Sequence, residues 1–95
     1  MERLYVICYD VRNPRRWRRL FKTMHGFGEW LQLSVFQCRL DRLRYIEMEA
    51  AISAVIRHGE DHVLIMDLGA AEQVSPAVRS LGKPFEPLRR EAVIV

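Results

Sequence analysis

Tyr9-Asp10-Val11 closes an apolar run and leads directly into Arg12-Asn13-Pro14-Arg15-Arg16-Trp17-Arg18-Arg19. These are residue types from which phosphodiester chemistry can be built. Asp10 is a hard oxygen ligand of the kind Mg²⁺ prefers, and it stands at the mouth of an apolar segment. The arginines that follow carry guanidinium groups that match phosphate oxygens in bidentate fashion. A carboxylate beside a phosphate-attracting surface is minimal equipment for metal-assisted chemistry on a nucleic-acid backbone. One carboxylate anchors Mg²⁺ weakly, so a second is required. Two sources are open: Asp61 of the same chain, or Asp10 of a two-fold-related copy. The competing reading makes Asp10 an Asx-type turn or cap leading into a helix at Asn13, a frequent fate of aspartate after a strand.

Other chemistries find less support. His58 and His62 have i, i+4 spacing, but Gly59 interrupts the helix that would align them. Without further convergent ligands they read as exposed, solvated side chains and not as a zinc site. His25, near the end of the first helix, is placed to meet the helix's terminal carbonyls. No nucleophile elbow, P-loop or dinucleotide fingerprint is present, and Gly26-Phe27-Gly28 is a helix stop. Cys8 and Cys38 fall on separate strands with no CxxC partner, so they are expected to be buried, reduced thiols.

The elements that must position Asp10 and the arginines belong to a single domain spanning residues 1–95. With 49% hydrophobic and 28% charged residues, the chain has the composition of a folded protein. Net charge is +3 and the sequence pI about 9.2, and the distribution is uneven. From Val11 to Gly28 there are six Lys or Arg residues and no acid, and Arg supplies 13 of the 15 basic side chains. A solvated helix face would account for that charge equally well. No segment suits a membrane span or a signal peptide, so a cytoplasmic location is expected, with no membrane partner.

Leu4 to Tyr9 is β-branched and aromatic, which suits a central strand covered on both faces. Asn13 can cap a helix with Pro14 at its first position. Trp17, Leu20, Phe21 and Met24 then form its buried stripe, while Arg15, Arg16, Arg18, Arg19 and Lys22 take the other faces. Gly26 and Gly28 end it. Residues 29–40 divide into a short and a longer strand about a tight turn near Leu33 and Ser34, although no Gly or Asn marks that turn. Asp41 caps a second helix that buries Tyr45, Met48, Ile52, Val55 and Ile56, and Gly59 closes it. His62 to Leu68 is a further strand. Gly69 to Leu88 is mostly loop with one turn of helix, and Ala92 to Val95 is a terminal apolar strand that should dock on a second copy.

The order β-α-β-β-α-β plus a terminal strand predicts an α+β fold, the ferredoxin-like sandwich. Its core is about residues 1–70, and residues 71–95 form an extension docking on the partner protomer. In that topology the first strand lies between the third and fourth. Its end at Asp10 therefore faces Ser34 to Phe36 and Asp61-His62, while Asp67 lies at the far end.

Tyr9-Asp10-Val11, the Arg-rich helix start, Gly28 and Gln32-x-Ser34-Val35-Phe36-x-Cys38-x-Leu40 resemble the small CRISPR-associated protein two family, over nearly the whole chain. The resemblance implies a ferredoxin-like homodimer whose two Asp10 side chains face each other. It also implies a Mg²⁺-dependent (or Mn²⁺-dependent) endonuclease acting on RNA and/or DNA, which works in spacer acquisition with the CRISPR integrase, CRISPR-associated protein one. By position, Asp10 and Tyr9 are the expected catalytic residues, with Asp10 the metal ligand. Arg15, Arg16, Arg19 and Phe36 are the expected nucleic-acid contacts, and Gln32 and Ser34 support the motif. Trp30 stands where many members carry Arg, which favours packing over a cationic contact. The alternative function is a non-catalytic scaffold that binds nucleic acid and bridges integrase dimers.

Overall fold

Alternating burial defines the first strand of the computed structural model, which describes residues 1–82. In β1 (Arg3–Asp10), Tyr5, Ile7 and Tyr9 are buried on one face, whereas on the other Leu4 is buried at the start and Val6 and Cys8 are only half-buried. The first set packs with Leu20 and Met24 of one helix and Met48 and Ile52 of the other. Both helices therefore lie on one side of the sheet. This corrects the expectation of a strand covered on both faces and of a buried Cys8: only Cys38 is enclosed, and both thiols are free.

Helix α1 (Pro14–His25) begins as its sequence requires, with Asn13 Oδ1 accepting the Arg16 N–H at 3.0 Å and Pro14 in the first turn. Gly26 follows in an ordinary right-handed conformation. Gly28 has a different task. A Cβ there would overlap Cys38 Sγ and the Gln37 carbonyl, so only glycine lets the chain enter β2 (Glu29–Gln32) so close to β3 (Val35–Leu40).

The turn between those strands is Leu33-Ser34, as expected, and it forms without glycine. Leu33 adopts φ 41°, in the left-handed region that costs a leucine about 1–2 kcal/mol. Trp30 Nε1 donates to the Leu33 carbonyl at 2.9 Å and clamps the turn, which offsets part of that cost.

Asp41 Oδ1 caps α2 (Arg42–Val55) by accepting the Arg44 N–H at 2.8 Å. Met48 and Ile52 are buried, with Tyr45, Val55 and Ile56 packed around them. The helix ends at Val55, before Gly59, where an added Cβ would meet nothing. Gly59 is thus not what stops it.

β4 (His62–Ala70) completes an antiparallel sheet in the order β2-β3-β1-β4. This is the expected ferredoxin-like arrangement. A turn at 71–73 and irregular chain follow. The expected terminal strand, 92–95, and its docking on a partner lie outside the described residues. No helix among the described residues is long and apolar enough to cross a membrane.

Candidate metal and nucleic-acid site

Asp10 is the last residue of β1 and is exposed. The Tyr9 N–H, donating to the Ser34 carbonyl at 3.1 Å, ties the strand end to the β2–β3 turn. Across the sheet, Asp10 pairs with His62 of β4. The Asp10 carboxylate makes no hydrogen bond or ion pair among the described residues, and Asn13 alone caps α1. The turn-forming reading of Asp10 is therefore not what the structure shows. An exposed, unpaired carboxylate fits a hard cation that keeps most of its waters, as Mg²⁺ does. No cluster of three or more His, Cys, Asp or Glu ligands forms among the described residues.

Asp61 is already committed elsewhere. Its side chain is only 1% exposed and receives Arg16 Nε at 2.7 Å, Arg16 Nη2 at 3.1 Å and the Arg57 N–H at 2.8 Å. The Arg16 guanidinium, followed by the Arg57 N–H, holds the Asp61 carboxyl below its usual range. Arg16 also reaches Glu60 Oε2 at 3.1 Å. Two expectations are corrected by this network. Asp61 is not available as a second metal carboxylate within the chain, and the Arg16 fork faces two carboxylates instead of a phosphate.

The aromatic residues near Asp10 are structural. Phe36 is fully buried, stacked against Tyr9 at 6.3 Å and edge-on to Phe21 and His25. A ring with no exposed surface cannot stack on a base, so its expected contact with nucleic acid is not offered by this chain. His25, expected at the helix carbonyls, lies edge-on to Phe21 at 4.6 Å instead. Trp30 packs edge-on to Phe21, in line with a packing role. Ser34 accepts Trp17 Nε1 at 2.8 Å, which fixes α1 against the β2–β3 turn. Gln32 is exposed at the end of β2.

Tyr9, expected to be catalytic, points into this cluster, and its hydroxyl is buried without a partner among the described residues. Burial pushes the phenol up to about 12, which rules out a phenolate near neutral pH. Tyr9→Phe removes an unsatisfied hydroxyl, so thermal unfolding should show stability unchanged or raised by up to about 1 kcal/mol. Nucleolytic activity should stay within about twofold, whereas a catalytic phenol would lose tenfold or more.

The other cations of α1 lie on its outer side. Arg15, Arg18, Arg19 and Lys22 recur at i, i+3, i+4 and i+7, opposite the buried stripe of α1. All four are exposed and lack an ion-pair partner among the described residues, as does Arg12. Asp10 thus stands at the end of a central strand, joined by residues 11–13 to the helix whose outer side carries these cations. Two features of this region escape sequence reasoning because each joins distant segments, the anchoring of Arg16 and the Trp17–Ser34 tie, whereas the pairing of Asp10 with His62 follows from the expected strand order.

Residues 2–75 match the protein family described as CRISPR associated protein Cas2. The chain is 70% identical over 95 residues to the CRISPR-associated endoribonuclease Cas2 of Geobacter sulfurreducens, with both chains covered completely. It is 55% identical over 94 residues to the CRISPR-associated endoribonuclease Cas2 1 of Rhodospirillum rubrum, covering 99% of this chain and 92% of that protein. The fold is similar to the crystal structure of hypothetical protein TT1823 from Thermus thermophilus, with a TM-score of 0.75, 28% identity, and coverage of 93% and 100%. It is also similar to a crystal structure described as cas2, with a TM-score of 0.71, 25% identity, and coverage of 94% and 100%.

Proposed function

Since the chain belongs to the CRISPR associated protein Cas2 family, we propose that it is an endoribonuclease of CRISPR adaptation that grips the nucleic-acid backbone along α1 and cuts at Asp10. The exposed, unpaired Asp10 at the end of β1, followed in the chain by the helix that carries the free cations, supports this reading. Both relatives named above are called endoribonucleases.

A second copy of the chain belongs to this reading. The sheet face away from the helices carries Val6, Cys8 and Val35 half-buried, and Leu64 and Met66 at 48% and 38% exposure. Packing two such faces together removes that apolar surface from water. It also brings the Asp10 carboxylates toward a common edge, supplying the second ligand that Asp61 does not. Mg²⁺ held there by the paired Asp10 side chains would supply Lewis-acid charge at the phosphoryl oxygens. The chain's own residues do the rest. Arg15, Arg18, Arg19 and Lys22 bind phosphates and set the backbone across the Asp10 edge. Arg16 orients α1 through Asp61 without touching the substrate.

A second reading is favoured by the sparseness of ligands around Asp10. In it the same dimer serves as an adaptor that holds DNA and bridges copies of the CRISPR integrase. Both readings need the stripe, so the first test is binding. Arg15→Glu/Arg19→Glu should weaken binding to short single- and double-stranded fragments by tenfold or more at low salt. It should also flatten the slope of log K against log[salt] by about two phosphates' worth. An unchanged affinity and slope would place the nucleic acid elsewhere.

A further inference from the structure

Once Asp61 is committed to Arg16, the ligating side chain that remains closest to Asp10 in the sheet is His62. The two residues are directly paired between β1 and β4. Residues opposed in an antiparallel pair point to the same face, with Cβ atoms about 4.5–5.5 Å apart. That face is the open one, because the helix-facing partners in the adjoining pair are Tyr9 and Val63, while the next outward pair is Cys8 and Leu64. Both Asp10 and His62 are exposed. The His62 ring makes no hydrogen bond or ion pair among the described residues, whereas that of His58 is turned toward the Ser53 carbonyl at 3.2 Å.

We infer that His62 is a metal ligand beside Asp10, so that each chain supplies one carboxylate and one imidazole. This rests on the paired-Asp10 reading above. Two copies would then present two oxygen and two nitrogen donors, in place of two carboxylates alone. The donor set changes which ion is held best. Imidazole adds little for hard, strongly hydrated Mg²⁺ but binds first-row transition ions well. His62 therefore tunes the site away from Mg²⁺ and toward first-row transition ions, Mn²⁺ being the weakest of that series, while Asp10 remains the ligand that any divalent cation needs.

Mn²⁺ binding to the untagged full chain tests this by pulsed electron paramagnetic resonance, which detects directly coordinated ¹⁴N. The expected result is a nitrogen signal in the parent protein that persists in His58→Asn and disappears in His62→Asn. His62→Asn should also loosen Mn²⁺ by about tenfold or more, with Mg²⁺ competition shifting in favour of Mg²⁺. Asp10→Asn should remove Mn²⁺ binding altogether. Binding of Mn²⁺ that depends on Asp10 but shows no ¹⁴N coupling would overturn the role of His62 and leave the Asp10 reading standing. A nitrogen signal that survives His62→Asn would overturn that role in the same way. Absence of any Asp10-dependent Mn²⁺ binding would overturn both.

Discussion

Asp10→Asn is expected to lower divalent-cation-dependent cleavage by about 10³-fold or more while leaving the fold intact. The size follows from the charge a cation contributes at a phosphoryl centre, on the order of several kcal/mol, where each 1.4 kcal/mol is tenfold in rate. The selectivity follows from the structure. Asp10 is exposed and unpaired among the described residues, so its neutralisation strands no partner and thermal stability should change by less than about 0.5 kcal/mol. Nucleic-acid binding should be retained, because the free cations of α1 are untouched. The measurement is a Mg²⁺ titration of cleavage against a panel of single- and double-stranded RNA and DNA, with Asp10→Asn in parallel. Unchanged Mg²⁺-dependent cleavage in the variant would sink the catalytic reading. Loss of cleavage with full retention of spacer integration would make the adaptor role the physiological one.

Arg16→Ala should be the most damaging substitution among the basic residues of α1, although it resembles its neighbours in the sequence. Removing the guanidinium leaves Asp61, 1% exposed, without its bidentate partner. Stranding a buried charge costs far more than losing an exposed ion pair. The melting temperature should fall on the order of 10 °C, whereas Arg15→Ala or Arg19→Ala should move it by about 2 °C or less. A nonpolar replacement of both partners, Arg16→Met/Asp61→Leu, should recover much of the loss, since it removes the stranded charge along with the pair. The pH dependence has a definite sign. Asp61's carboxyl is held below the ordinary 3.8, so its contribution is fully present above pH 3.8. That contribution is lost as the pH falls further, through the depressed native value. Acid unfolding followed by circular dichroism should therefore show a shallower loss below pH 3.8 in Asp61→Asn. Equal melting temperatures for Arg16→Ala and Arg15→Ala would remove Arg16 from the structural role and return it to the nucleic-acid surface.

Much of this protein is legible in the order of its residues because the signals are local. Asn13-Pro14 and Asp41 each cap a helix through a backbone N–H three residues on, and both caps form. The 3.6-residue period sorts α1 into an apolar and a cationic face whatever it packs against. The order and type of the elements then narrow the sheet to the observed one. Leu33 shows the limit of local signals, since its turn is held by an indole from Trp30 and not by a turn-forming residue.

Which of the similar side chains is free to act was decided only in three dimensions. Arg16 and Arg19 are equally plausible phosphate ligands by type and spacing. Contact with Asp61, 45 residues away, takes Arg16 out of solution and leaves Arg19 in it. Tyr9 and Phe36 carry the marks of site residues but are claimed by the core, because strand alternation turns them toward the helices. The same alternation turns Asp10 outward, and the β1–β4 register singles out His62 among the neighbours that the expected strand order already places at that end. A sequence states each residue's chemistry and local period. Its availability depends on which distant group reaches it first, and that is a property of register and packing alone.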